Sequence, residues 1–160
     1  ADLTSANLTS ANLWGADLTG ANLESAKLIS AKLHSAKVKG VVLTKANLTN
    51  TYLMYADLRE ADLQGANLKD VILQSANLYS AKLQRANLED AILRNANLEG
   101  ADLTSANLQR AILIGANLEC ADLTDANLQG ANLTGADFRN ANLNRTTFTD
   151  VIWDMDKNNR

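Results

Sequence analysis

Thirty-one consecutive five-residue steps run through this chain without one insertion, from Ala1-Asp2-Leu3-Thr4-Ser5 to Val151-Ile152-Trp153. So strict a period dictates a repeat architecture before any chemistry is considered. Every fifth position from Leu3 to Trp153 is Leu in 27 of 31 cases, with Val38, Phe138, Phe148 and Trp153 as the exceptions. The position two earlier is Ala in 26 of 31, departing only at Val41, Thr51, Val71, Thr146 and Val151. Between them stands Asn or Asp in 20 of 31 units. The last two positions vary among Thr, Gln, Ser, Gly, Glu and Arg, as solvent-facing sites do.

An α-helix would put residues 1, 3, 6 and 8 at about 0, 200, 140 and 340 degrees around its axis, leaving no apolar stripe. A flat strand fails as well. Apolar residues recur at intervals of two and then three, so a two-residue pleat would change face inside every unit. The chain must instead turn a corner every five residues, with Ala and Leu pointing inward on each side of a coil.

The exceptions give the number of sides. Apolar residues replace Asn or Asp at Val42, Tyr52, Ile72, Ile92, Ile112 and Ile152, and five of these six are separated by multiples of 20. Four units per turn align them on one side, whereas a three-sided coil would scatter Tyr52, Ile72 and Ile92. The expected fold is all-β: a right-handed quadrilateral β-helix, or β-solenoid, with four pentapeptides per coil. About eight coils spaced at roughly 4.8 Å make a rod on the order of 38 Å long.

The unit Ala-(Asn/Asp)-Leu-x-x resembles the pentapeptide-repeat family, and the resemblance covers positions 1 to about 153. It implies the same quadrilateral right-handed β-helix and no particular activity. The family is abundant in cyanobacteria, and one branch resembles DNA and protects gyrase from quinolones. By the same resemblance, a bacterial, cyanobacterial-type cytoplasm is the expected location, or an exported compartment if a signal peptide has been removed.

There is no Pro and no linker-like stretch, so residues 1–153 read as one solenoid domain. At its end Phe148 and Trp153 replace Leu and the repeat dissolves into residues 154–160, a pattern expected of a C-terminal cap and tail. Ala1 begins in full register, with no segment before it to cover a β-edge, so the expectation is a trimmed or processed N-terminus, or else an end that meets something. No apolar run approaches the roughly 18 residues of a membrane span, and membrane insertion is not expected. Cys120 is the sole cysteine, so no intramolecular disulfide can form.

Catalytic chemistry finds no footing: no catalytic, cofactor-binding or metal-ligating residue is identified, and no cofactor or small-molecule substrate is expected. His34 is the only His, at an outward position without Cys or carboxylates at metal-ligand spacing, and reads as a solvated surface residue. All eight Gly fall at the fifth position of a unit, where they suit turns and form no phosphate-binding loop. Ladders such as Asn47, Asn67, Asn87, Asn107 and Asn127 read as structural, with side chains bonding to backbone at the corners.

Two surface features stand out. On one side Tyr52, Ile72, Ile92 and Ile112 form an apolar stripe, to which the variable positions add Trp14, Met54, Tyr55 and Ile114. Exposed patches of several hundred Å² on soluble proteins mark contact surfaces, although β-branched and aromatic residues also stabilise strand-like sides by cross-strand packing. A self-associating homodimer and a separate protein partner both fit. The second feature is a basic belt, Lys27, Lys32, Lys37, Lys39 and Lys45, with no acidic residue between Glu24 and Asp57. Three of these lysines lie on successive sides of one coil and ring the rod, which argues against nucleic acid, because phosphate binding wants charge gathered on one face.

Charge also weighs on mimicry of DNA. A duplex carries one negative charge per roughly 1.7 Å, so a 38 Å imitation should present on the order of 20. This chain nets -3, from 18 acidic and 15 basic residues. The sequence therefore points to a non-catalytic structural scaffold or protein–protein interaction module acting along the Tyr52 to Ile112 side, with a gyrase-binding DNA mimic as the alternative.

Overall fold

The computed structural model describes residues 1–153, and the expected C-terminal tail, 154–160, lies outside the described residues. The chain winds as a quadrilateral β-helix. Each second-position residue pairs in parallel with the one 20 residues on, from Asp2 with Asn22 to Asn132 with Ile152. The coil is right-handed, the hand that parallel crossovers take. Seven full coils and most of an eighth are stacked. We number the sides by their first second-position residue: face 1 begins at Asp2, face 2 at Asn7, face 3 at Asn12 and face 4 at Asp17.

One backbone scheme repeats in every unit that has a coil on both sides. In the unit that starts at Ala46, Asn47 N–H donates down to Ala26 O at 2.9 Å, and Leu48 N–H donates up to Asn67 O at 2.7 Å. Asn50 N–H donates to Lys69 O at 3.0 Å, and Thr51 N–H closes the corner onto Leu48 O at 3.0 Å. Only one residue per side and coil is in ladder pairing, because the chain bends again before a longer strand can extend.

The corner separates the fourth position from the fifth, as the confinement of Gly to the fifth anticipates. Every fifth-position residue has positive φ, from 53° at Ser80 and Asn95 to 69° at Gly130. The corner is thus a hydrogen-bonded turn with its third residue in the left-handed region, as in a type II turn. Glycine enters that region without a Cβ penalty; 22 other residues adopt it too, Tyr55 at 58° among them.

Inside, the Ala and Leu columns are solvent-free from Ala21 to Leu133, while Leu3, Leu8, Leu13, Leu18 and Phe138 are partly buried at the two ends. Burial of each Leu contributes roughly 1.5–3 kcal/mol, and because each coil touches only its neighbours these contributions add along the rod. Thr51 is the one buried polar residue among those described, and its hydroxyl donates to Leu28 O of the coil below at 2.7 Å.

Candidate functional site

On most of the surface the second-position side chain is tied up locally. Asn47, Asn77, Asn97 and Asn117 each accept the N–H two residues on, at 3.0–3.1 Å, the Asx turn for which this residue type is suited. Along face 2 the amides also link coil to coil: Asn87 Nδ2 donates to Asn67 Oδ1 at 3.3 Å, and Asn107 Nδ2 to Asn87 Oδ1 at 3.0 Å. These are the structural ladders expected from the residue types.

Face 3 breaks the scheme on four consecutive coils. Tyr52, Ile72, Ile92 and Ile112 stand in direct parallel register, and none carries an oxygen that could accept from its turn. The N–H groups of Met54, Gln74, Arg94 and Ile114 accordingly have no acceptor among the described residues. The three isoleucines are half-buried against one another, while Tyr52 is 37 % exposed and Tyr55, at the corner of the same coil, 59 %. Met54 and Ile114 are half-buried in the fourth-position column, where Gln74 and Arg94 stand between them. The apolar surface is therefore continuous only along the second-position column.

Trp14 lies two coils below Tyr52 and is 67 % exposed. What joins it to the stripe is His34. The imidazole stacks on Trp14 with centroids 4.8 Å apart and on Tyr52 at 5.7 Å, with interplanar angles of 18° and 17°. His34 is half-buried, and its Nδ1 is enclosed without a hydrogen-bond partner. This corrects the reading of His34 as a solvated residue. Trp14 and His34 are 20 apart, so their contact was available from the period, whereas Tyr52 sits in the adjacent column and its contact depends on side-chain rotation.

The remaining features lie elsewhere. Phe148 and Trp153 pack at 5.6 Å between centroids and Phe138 and Trp153 at 5.9 Å, with Phe148 half-buried and Trp153 exposed. Lys27, Lys32 and Lys37 are exposed on faces 2, 3 and 4 of one coil, so the belt encircles the rod. Lys39 is drawn to Glu60 at 3.3 Å. On face 1, Lys45 and Arg85 flank Gly65 in a cleft of about 500 Å³ that includes Gln64, Gln84, Thr104 and Ser105.

Many carboxylates are neutralised where they stand. Arg110 forks onto Asp90 at 2.8 Å through both Nε and Nη2 and also reaches Glu89, which Lys69 holds at 3.2 Å. Arg145 grips Asp125 and Arg139 grips Asp137 and Glu119. The guanidinium hydrogen bonds hold the Asp90, Asp125 and Asp137 carboxyls below their ordinary range. No group of three His, Cys, Asp or Glu among the described residues is arranged to hold a metal ion, and no helix is long and apolar enough to cross a membrane.

A family model described as pentapeptide repeats matches the chain in eight copies, over residues 1–40, 31–70, 51–90, 81–119 and 116–152. No curated protein matches it. Among solved structures, full-length QnrB1, a plasmid-mediated fluoroquinolone resistance protein, is similar with a TM-score of 0.85 and 19 % identity, over 96 % of this chain and 80 % of that one. HetL, a pentapeptide repeat protein involved in heterocyst differentiation regulation from the cyanobacterium Nostoc sp. strain PCC 7120, is 32 % identical over 94 % of this chain and 86 % of its own, with a TM-score of 0.34. A pentapeptide repeat protein of the Arabidopsis thaliana thylakoid lumen is 29 % identical over 61 % of this chain and 65 % of its own, with a TM-score of 0.42.

Proposed function

Because the chain belongs to the pentapeptide-repeat family, we propose that it is a non-catalytic scaffold or interaction module that engages protein through face 3. The observation that carries this reading is the replacement of Asn or Asp by Tyr52, Ile72, Ile92 and Ile112 on consecutive coils of a single side. Where Asn or Asp holds the second position it serves its own turn, and although Lys27, Lys37, Val42 and Lys82 do not, no other side lacks the bond on consecutive coils. On face 3 it gives up that bond and offers apolar surface outward, together with the Trp14–His34–Tyr52 stack. Aromatic side chains and Met with few charges among them are the composition of contact cores, and Trp14, Tyr52, Met54 and Tyr55 supply these on face 3.

Chemical crosslinking in the native extract tests it. The wild-type chain is expected to form adducts, with itself or with another protein, that an Ile72→Asp/Ile92→Asp variant of unchanged circular dichroism no longer forms. Identical adducts from both chains would overturn the assignment of face 3.

The DNA-mimic alternative draws on the likeness of fold to QnrB1, and at that identity the likeness speaks for fold alone. Surface charge weighs against it. Asp57, Glu60, Glu89, Asp90, Glu119, Asp125 and Asp137 each lie against a Lys or Arg, which leaves no sustained negative column. Inhibition of gyrase supercoiling by the purified chain would revive it.

A further inference from the structure

We infer that the partner of face 3 is a second copy of the chain, laid antiparallel, with the two-fold axis crossing the face midway between the Ile72 and Ile92 coils. This rests on the reading of face 3 as an interaction face and adds the identity and register of its occupant. A two-fold interface requires one surface to complement itself, residue i meeting j while j meets i. The order of side chains along face 3 meets that condition about one point.

The second-position column reads Lys32, Tyr52, Ile72, then Ile92, Ile112, Asn132; the fourth-position column reads His34, Met54, Gln74, then Arg94, Ile114, Thr134. An axis across the rod between the fourth and fifth coils turns each column onto itself with its order reversed. Ile72 then meets Ile92 of the second copy, Tyr52 meets Ile112, and Met54 meets Ile114. The two polar residues that interrupt the apolar column, Gln74 and Arg94, meet each other, the amide oxygen accepting from the guanidinium. Lys32 meets Asn132 and His34 meets Thr134, so apolar lies on apolar and polar on polar at these six levels, and the match ends one coil further out, where Asn12 meets Ile152. Along the edge shared with face 2, Asp70 faces Asp90, whose charge Arg110 already holds at 2.8 Å. At the opposite edge Tyr55 lies over Gly115, across which the Asn95 side chain leans.

Neighbouring arrangements lose this matching. A parallel pair would lay one column on the other, setting Ile92 against Arg94 and desolvating a guanidinium without an acceptor, a costly exchange. Moving the antiparallel axis up by half a coil sets Arg94 against Arg94; moving it down by as much sets Lys32 against Ile112 and Met54 against Arg94. Like charges brought together across an interface select against such registers. Six coils at roughly 4.8 Å give a face about 29 Å long and one side wide, small for a stable interface, so the dimer should be weak.

Sedimentation velocity over a concentration series tests the pairing with purified full-length chains. An Ile72→Asp/Ile92→Asp variant and an Ile72→Lys/Ile92→Lys variant should each associate at least tenfold more weakly than wild type. Their equimolar mixture should recover a 1:1 dimer, because each apolar pair becomes an ion pair. An Ile72→Asn/Ile92→Asn variant, which carries the residue native to Asn132 of the same column, keeps the fold and should also lose association at least tenfold. For the register, Gln74→Glu should tighten the dimer severalfold opposite Arg94 and Gln74→Lys should loosen it by as much. A wild-type chain that stays monomeric, or a charge-paired mixture that does not combine, would overturn self-pairing; the extract crosslinks would still decide whether face 3 serves a foreign partner. Equal effects of the two Gln74 variants would overturn the antiparallel register.

Discussion

Faces 2 and 3 share one backbone, one core and one turn, and differ in what stands at the second position. On face 2 the column Asn47 to Asn127 closes on itself: each amide caps its own turn, and those of Asn67, Asn87, Asn107 and Asn127 also donate to the coil below. On face 3 the column Tyr52 to Ile112 does neither, and the turn N–H groups above it are left to solvent or to a partner. The solenoid tolerates the exchange because its stability comes from the Leu and Ala columns beneath, which are equally buried under both faces. Core and surface are thus separable in this fold, and the outward column is free to carry an interaction without any cost to the core.

That separation is most sharply tested in the core. Leu68 under face 2 and Leu73 under face 3 are both fully buried. Leu68→Ala and Leu73→Ala should each lose about 2–5 kcal/mol by cavity formation, read from denaturant unfolding. A marked difference between them would mean that the outer columns contribute to holding the core and that the two faces are not interchangeable.

The outer columns should separate at the next scale down. Asn87→Ala removes an acceptor for Glu89 N–H at 3.2 Å, the Asn67 contact at 3.3 Å and the Asn107 contact at 3.0 Å, at an expected cost of about 1–2 kcal/mol. The reverse exchange, Ile92→Asn, supplies an acceptor to Arg94 N–H and should leave stability within about 1 kcal/mol of wild type. Unfolding midpoints of the two variants measure the contrast. A large loss in Ile92→Asn would show that the Ile ladder holds the rod together by cross-strand packing, the plainer account of its residues.

The fold was legible because its determinants repeat. The spacing of Tyr52, Ile72, Ile92 and Ile112 gives the four sides, and the preference of Asn for Asx turns gives the corner bonds. The corner conformation was partly legible as well. Thr and Ile occupy the fourth position eleven times and the fifth never, and Gly occurs only at the fifth, as a left-handed φ at that residue alone requires. The candidate site was less so. Periodicity assigns a column to Trp14, His34 and Tyr52 but not the rotamers that stack them, and it could not show that Ile72 and Ile92 sink half into their own ladder while Tyr55 stands clear.

Tyr55 also marks the corner of face 3 at its most strained, a bulky residue at φ 58°. Tyr55→Asn should stabilise the chain by a few tenths to about 1 kcal/mol, since Asn enters the left-handed region at lower cost. Thermal unfolding would detect the gain. Should stability fall instead, the ring makes contacts on the monomer that outweigh the backbone strain, and it belongs with the core side of the comparison.

Acid gives the smallest effect and separates the faces by charge. Face 3 has no Asp or Glu at the second or fourth position within residues 1–153. Faces 1, 4 and 2 hold Asp122, Asp57, Asp137 and Asp90 below their ordinary range, Asp122 by the hydrogen bonds of Thr124 and the others by those of Arg59, Arg139 and Arg110. The folded chain thus keeps these carboxylates ionised where the unfolded chain has begun to take up protons. Their stabilisation is complete above the ordinary carboxylate range, near pH 4, and drains away as pH falls through the lowered native values. Because these groups are largely solvated, the loss should be modest, and Asp137→Asn should flatten part of it when unfolding midpoints are followed from pH 7 down to pH 2. In a His34→Gln variant, association through face 3 has neither a carboxylate nor an imidazole at those positions to protonate, so between pH 7 and 5 it should hold constant. A dimer that dissociates in that interval, with the fold intact, would place a charged group at the centre of the interface and break the apolar account of face 3.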